Sequence, residues 1–174
     1  MKTTIQFLKN YFFFILVSVI LLNLSGCTML QTITSNGTPI PHHVNTIIID
    51  FDGTKKEAFA QIGNHFIQNR YSIATSSSEF FTVTTNYKNV AQKGSDMATV
   101  ACLTASVIEQ EGKVTIILFG IGKQGMDVTS IGGIDIGEFE IEHYGTSISM
   151  LWLAWSELYR IASSFSDRLT FEKR

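Results

Sequence analysis

The apolar positions of the chain follow two periodicities, one typical of strands and one typical of helices. Val44 to Phe51 is a run of apolar and β-branched residues that ends at a turn, so it predicts a strand. Thr54 and Glu57 have the spacing of a capping box, in which each side chain accepts an amide hydrogen at the start of a helix. That helix should end near Asn69 to Tyr71. Its predicted buried face consists of Ala58, Phe59, Ile62, Phe66 and Ile67.

The segments after this helix alternate in the manner of strands. Tyr71 to Thr75 and Phe80 to Thr85 predict two short strands, joined by a turn at Ser76 to Ser78. Asn86 to Asp96 is predicted to be a polar loop.

A hairpin is predicted next. Met97 to Gln110 contains alanines that would suit a helix, but it meets Val114 to Phe119 across Glu111-Gly112, as a β-hairpin requires. Gly120 to Ser130 is predicted to be an irregular, glycine-rich loop. From Ile134 to Glu142 the apolar positions change parity at Gly137, which predicts a bulged strand.

A long amphipathic helix is predicted to close the chain. Its apolar stripe consists of Ile148, Leu151, Trp152, Trp155, Leu158, Tyr159, Ala162, Phe165 and Leu169. A helix lying on a membrane surface usually has more Lys and Arg on its polar face, so we predict that the stripe packs against a sheet. The element order β-α-β-β-β-β-β-α predicts an α+β fold, in which helices cover one side of an antiparallel sheet.

The segment from Met1 to Cys27 resembles a bacterial lipoprotein signal peptide. Two lysines precede an apolar segment, Tyr11 to Leu24, and Leu24-Ser25-Gly26-Cys27 has the pattern of a lipobox. The alternative is a transmembrane anchor, but the apolar segment is shorter than the ~20 residues that such a helix needs. The resemblance implies cleavage before Cys27 and a palmitate-containing lipid on its sulfur. It also implies the outer membrane, facing the periplasm, because Thr28 stands where Asp would retain the protein in the inner membrane.

The remaining chain is expected to form one domain. Residues 1–26 are the predicted signal peptide, residues 27–43 a lipidated cysteine and flexible tether, and residues 44–174 a single α+β domain. The formal net charge is only −2, and the leader contains two lysines and no acid, which argues against a nucleic-acid partner. With Cys27 lipidated, Cys102 has no disulfide partner and is expected to be a small buried hydrophobe. His42 and His43 are predicted to be incidental to function.

One short motif suggests an enzyme. Ile48 to Thr54, with Asp50 and Asp52, resembles the first motif of the haloacid-dehalogenase phosphohydrolases. The resemblance implies that Asp50 is a carboxylate nucleophile, that Asp52 is a general acid and that magnesium lies between them. The capping box and an Asp-Gly turn also account for these residues. A periplasmic phosphohydrolase is therefore the alternative hypothesis, which requires a parallel strand that brings further acids beside Asp50.

Two further patterns have structural explanations. Gly120 to Gly125 matches the spacing of a dinucleotide-binding loop, but no predicted helix follows to bind a pyrophosphate. Glu138, Glu140, Glu142 and His143 suggest metal ligands, yet alternating acids on a strand are more often its solvated face. We therefore predict no cofactor and no metal.

The order of elements resembles a helix-grip domain. Asn69 to Ile73 at the end of the first helix, followed by Phe81 to Thr85, resembles the repeated domain of BamC, a lipoprotein accessory of the outer-membrane β-barrel assembly machine. The first hypothesis is therefore a non-catalytic cell-envelope lipoprotein. Its α+β domain is expected to bind an envelope protein partner or a small apolar ligand.

Overall fold

A computed structural model describes residues 39–90, 97–126, 135–144 and 150–174. The strands are β1 (Thr46–Phe51), β2 (Ile73–Ser77), β3 (Thr82–Thr85), β4 (Lys88–Asn89), β5 (Met97–Gln110), β6 (Lys113–Met126), β7 (Asp135–Glu140) and β8 (Leu169–Glu172). The helices are α1 (Lys55–Gln68) and α2 (Met150–Phe165). The strands form one eight-stranded antiparallel sheet, so the predicted α+β fold is confirmed.

The sheet is built around the predicted hairpin of β5 and β6. Its strand order is β2-β3-β5-β6-β1-β8, with β4 paired to β5 and β7 paired to β6. The hairpin pairs without interruption from Met97↔Met126 to Gln110↔Lys113. Glu111 and Gly112 both have positive φ, 53° and 76°, as a two-residue hairpin turn requires. The sheet edges are therefore β2 on one side and β8 on the other.

The core lies between one face of the sheet and the two helices. In β5, Ala101, Leu103, Ala105 and Val107 are buried, whereas the residues between them are only half-buried. This alternation is typical of a sheet that is covered on one side. The helices contribute Ala58, Ile62, Phe66, Ala154, Trp155, Leu158, Ile161 and Ala162 to the core.

The predicted capping box at the start of α1 is confirmed. The Glu57 amide donates to Thr54 Oγ1 at 3.2 Å, and the Thr54 amide donates to Glu57 Oε2 at 2.9 Å. The backbone and side-chain hydrogen bonds from Thr54 lower the pKa of Glu57. One assignment on this helix was wrong, because Ile67 is 58% exposed. Ile67 faces the edge of the sheet at β2, beyond which no described strand covers it.

The two strands that follow each begin two residues later than predicted, and β2 also ends two residues later, at Ser77, whereas β3 ends at Thr85 as predicted. Phe80 and Phe81 belong to the turn between β2 and β3, where Phe81 has a φ of 52°. The predicted polar loop contains β4, because Lys88 and Asn89 pair with Ala101 and Val100 of β5. The pairing of β4 with β5 depends on a segment further along the chain, which local composition does not encode.

The glycine-rich loop prediction was wrong for residues 120–126, which continue β6. The aromatic ring of Phe139 lies over Gly122, where a Cβ would come within 2.3 Å of it. A Cβ on Gly120 would lie 2.8 Å from the Cys102 carbonyl oxygen. The glycines therefore permit close packing within the sheet.

The predicted bulge is confirmed, since the pairing of β6 with β7 shifts next to Gly137, whose φ is 101°. Residues 127–134 lie outside the described ranges.

The closing helix ends earlier than the pattern predicts. It stops at Phe165, and Leu169 lies instead in β8, opposite Ile49 of β1. Leu169 and Phe171 alternate with exposed Thr170 and Glu172, which is a strand period. Ile148 lies outside the described residues.

The segment just before β1 is packed against the domain. Ile40 is only 1% exposed, and the His43 amide donates to the His143 carbonyl at 2.7 Å. The last residues assigned to the tether therefore contact the fold. The predicted leader and Cys27 lie outside the described part of the chain. Neither described helix is long and apolar enough to cross a membrane.

Candidate functional site

Asp50 and Asp52 lie near the end of β1, where each pairs with a cation. Lys113 Nζ is 3.0 Å from Asp50 Oδ2, and the Arg168 guanidinium donates to Asp52. Both neighbours of β1 are antiparallel, so no adjacent parallel strand brings a second acidic pair. Within the described ranges, no three His, Cys, Asp or Glu side chains group closely enough to hold a metal ion. The residues present therefore do not fit the magnesium site that the resemblance implies.

The Gly120 to Gly125 segment lacks the geometry of a dinucleotide site. It is the second half of β6 and pairs with β5 on one side and β7 on the other. A strand that is paired on both sides leaves no row of free amides to cradle a pyrophosphate.

The acids after β6 form separate contacts. Glu138 pairs with Lys123 and Tyr87, Glu140 with Asn45, and Glu142 with His43. His143, which was considered with these acids as a possible metal ligand, is buried, at 1% exposure. Its Nδ1 lies 2.8 Å from the Pro41 carbonyl oxygen, and burial lowers its pKa. Burial thus favours the neutral form of His143, and its contact with Pro41 holds the segment that precedes β1.

Cys102 lies on the sheet face that points away from the helices. It is half-buried rather than fully buried, and its Sγ donates to the Thr85 carbonyl oxygen at 3.0 Å. Burial raises the pKa of the thiol. A protonated thiol is a poor nucleophile, so this environment does not activate Cys102.

Glu157 is the centre of a half-buried polar network that joins α2 to the segment after α1 and to β4. Lys88, Tyr71 and Arg160 each donate to its carboxylate, at 2.9, 3.2 and 2.7 Å. Burial would raise the pKa of Glu157, but the hydrogen bonds and charges of Arg160 and Lys88 lower it to about 2. The sequence placed Glu157 and Arg160 on the polar face of the helix without indicating this network. Its groups satisfy one another, so we assign it a structural role.

An open groove lies between α1 and the edge strand β2. Its volume is about 230 Å³. It is lined by Phe59, Ala60, Gly63, Asn64, Ile67, Ile73, Ser76 and Val83. Because β2 ends the sheet, no described strand closes the groove on its outer side. We name it the β2 groove and take it as the candidate functional site.

Gly63 forms part of the wall of the β2 groove. A Cβ at this position would meet no atom within 4 Å. Glycine in a helix interior costs about 1 kcal/mol relative to alanine, and packing within the described chain gives no compensation for this cost. The open space above Gly63 allows another molecule to approach the helix backbone closely. This glycine was the local signal that sequence reasoning missed.

Exposed apolar surface is present at the same groove. Ile67, which lines it, is 58% exposed, and Phe80, in the turn after β2, is 72% exposed. At the end of the groove near Phe59, the Phe81 ring packs edge-on against Phe59 with centroids 5.7 Å apart. Lys55 Nζ lies 4.4 Å above the Phe81 ring. Exposed apolar surface beside charged groups is typical of an interaction site.

A second groove, between the two helices, is more polar. Its volume is about 310 Å³, and its lining residues are Gln61, Asn64, His65, Gln68, Ser164 and Phe165. His65 Nε2 already pairs with Ser164 Oγ at 3.0 Å, and burial lowers the pKa of this histidine. This groove has little apolar surface to bury, so the β2 groove is the better candidate.

Comparisons with models of protein families and with curated proteins find no match.

Proposed function

We propose that the protein is a non-catalytic lipoprotein of the cell envelope, anchored through a lipid on Cys27. Its α+β domain binds an envelope protein partner or a small apolar ligand at the β2 groove. The observation that carries this proposal is the groove itself, with its apolar lining, its open side and the empty space above Gly63. Binding in such a groove requires no cofactor, metal or nucleic acid.

The lipobox at Leu24 to Cys27 supports the anchored location. By resemblance, Cys27 becomes the first residue of the mature chain, and Thr28 favours the outer membrane, facing the periplasm. A membrane anchor keeps a binding domain close to its partners, which raises their effective concentration. A modest groove is therefore sufficient for a useful interaction.

Metabolic labelling with radioactive palmitate tests the anchor. We expect label in the wild type and none in Cys27→Ser, which should accumulate as the unprocessed precursor. Cys102→Ser is the matched control, since Cys102 is the other cysteine of the chain, and it should be labelled like the wild type. Label that persists in Cys27→Ser would contradict the proposed function.

A further inference from the structure

We propose that the β2 groove takes an extended peptide segment of a partner protein, which adds to the sheet as a strand beside β2. This inference rests on the proposed function and specifies the chemistry of the partner. The segment has apolar side chains at alternate positions and acidic residues at its ends.

The backbone of β2 is available for a further strand. Its inner side pairs with β3, through Thr75↔Thr84, Ser76↔Val83 and Ser77↔Thr82, and no described strand pairs with its outer side. Unpaired amides and carbonyls of an edge strand are a template for an incoming peptide. The exposed side chains of Ala74, Thr75 and Ser76 are small and leave this edge uncovered. The irregularity between Ile73 and Thr75 limits regular pairing to Thr75–Ser77.

The register of β2 determines which side chains of the peptide enter the groove. Directly opposed residues in an antiparallel pair share one face of the sheet. Ser76 is opposite Val83, which is 2% exposed and belongs to the core face. A peptide residue opposite Ser76 therefore points to the helix side, toward Phe59 and Gly63. Its neighbours point to the other face, so alternate positions of the peptide are apolar.

The size of the groove favours peptide side chains over a whole small molecule. Sites for small ligands usually have volumes of about 300–1,000 Å³ and bury most of the ligand. The β2 groove has about 230 Å³ and is open along its outer side. A strand gains most of its affinity from main-chain hydrogen bonds and needs only side-chain pockets of this size.

The charges at the two ends of the groove indicate an acidic partner. Lys55 and Lys56 begin α1 at one end, and Arg70 lies in the turn after α1 at the other end. Lys56 and Arg70 form no ion pair with a described residue. Glu57 is occupied by the capping box, and the two acids before α1 pair elsewhere, Asp50 with Lys113 and Asp52 with Arg168. Cations at both ends complement a peptide with Asp or Glu on its flanks.

Selection from a phage-displayed library of random decapeptides, on the purified full-length chain in detergent micelles, tests the inference. We expect enriched sequences with apolar residues at alternate positions and acids on the flanks. Gly63→Leu places a side chain in the groove and should weaken these peptides at least about tenfold, or about 1.4 kcal/mol. Its melting temperature should equal or exceed that of the wild type, because leucine is a better helix former than glycine.

Two controls make the result specific. Gln61→Leu adds the same side chain at an exposed position of α1 that lines the other groove, and it should bind the peptides like the wild type. Arg70→Glu should weaken peptides with acidic flanks more than versions with neutral flanks. In hydrogen–deuterium exchange, bound peptide should slow by at least about tenfold the amides within Thr75–Ser77 that point away from β3, since only these become newly paired.

Several outcomes would overturn strand addition. They are the absence of enriched peptides, apolar residues at helical three- and four-residue spacing, or binding that leaves exchange in β2 unchanged. Binding of the apolar probe N-phenyl-1-naphthylamine that is lost in Gly63→Leu, without peptide enrichment, would assign the groove to a small ligand instead. In each of these cases palmitate labelling that depends on Cys27 would still support the anchor. Label that is independent of Cys27 would contradict the anchor without affecting the peptide selection.

Discussion

Replacement of Trp155 by alanine is expected to remove a large part of the stability of the domain. Trp155 is the largest of the fully buried side chains, at 1% exposure. Its ring centroid lies 5.4 Å from that of His143 and 6.4 Å from that of Phe171. The side chain therefore joins α2 to β8 and to the segment after β7, and its loss leaves a cavity where these elements meet.

The expected magnitude follows from this burial. Truncation of a buried Phe or Trp to Ala costs about 3–5 kcal/mol, and a domain usually has a total free energy of unfolding of about 5–15 kcal/mol. In a domain of this size each kcal/mol corresponds to about 2–4 °C, so the melting temperature should fall by on the order of 10 °C. Trp152 is half-buried on the same helix, and Trp152→Ala should have a clearly smaller effect.

Thermal melts of the full-length wild type, Trp155→Ala and Trp152→Ala, followed by circular dichroism, measure this difference. The same variants, in a form that begins at residue 28 and therefore lacks the leader and the lipid, are tested for flotation with liposomes. If α2 lay on a membrane instead of the sheet, Trp155→Ala would leave the melt unchanged and abolish flotation. That combination would refute the packing of α2.

Three further substitutions test other parts of the structure. Because the pKa of Glu157 lies at about 2, below its ordinary value of 4.5, the group stabilises the fold fully above about pH 4.5, and this contribution is lost as the pH falls toward 2. Urea titrations between pH 6 and pH 3 should therefore show a steeper fall in the free energy of unfolding for the wild type than for Glu157→Gln. At pH 6 the variant lacks a contribution on the order of 3 kcal/mol, and parallel curves of free energy against pH would contradict the network. Asp50→Asn should change stability by less than about 1 kcal/mol and leave biological activity intact, because it removes one exposed ion pair. Magnesium-dependent hydrolysis of an aryl phosphate by the wild type, abolished in Asp50→Asn, would establish the phosphohydrolase. Gly120→Ala should cost about 1–3 kcal/mol in urea denaturation, because its Cβ meets the backbone of β5; a free energy equal to that of the wild type would show that this segment is not a packed strand.

The sequence predicts well the features that depend on neighbouring residues. Thr54 and Glu57 form a capping box within one turn of helix, and Glu111-Gly112 adopts the dihedral angles of a tight hairpin. Leu169 shows the limit of such reasoning. Leu169 stands four residues after Phe165, and this spacing continues the helical stripe. It also alternates with polar residues, as a strand residue does. Only its pairing with Ile49, far away in the chain, decides between the two.

The candidate site was less predictable because it depends on the order of strands in the sheet. The periodicity of α1 placed Ile67 on the buried face, and it would be buried if another strand lay beyond β2. Nothing local shows that β2 is an edge strand. Gly63 was visible in the sequence, but its meaning depends on the empty space above it. Cys27 lies outside the described residues, so its lipidation stays a prediction.

The most direct test of the proposed function is photo-crosslinking in living cells. Benzoylphenylalanine is placed at Ile67, an exposed side chain at the border of the β2 groove, or at Gln61, on the other side of α1. We predict a discrete crosslinked product from position 67, which is absent from position 61 and is lost when Cys27→Ser removes the anchor. Equal products from both positions, or a product from position 67 that does not depend on Cys27, would contradict a lipid-anchored domain that binds its partner in this groove.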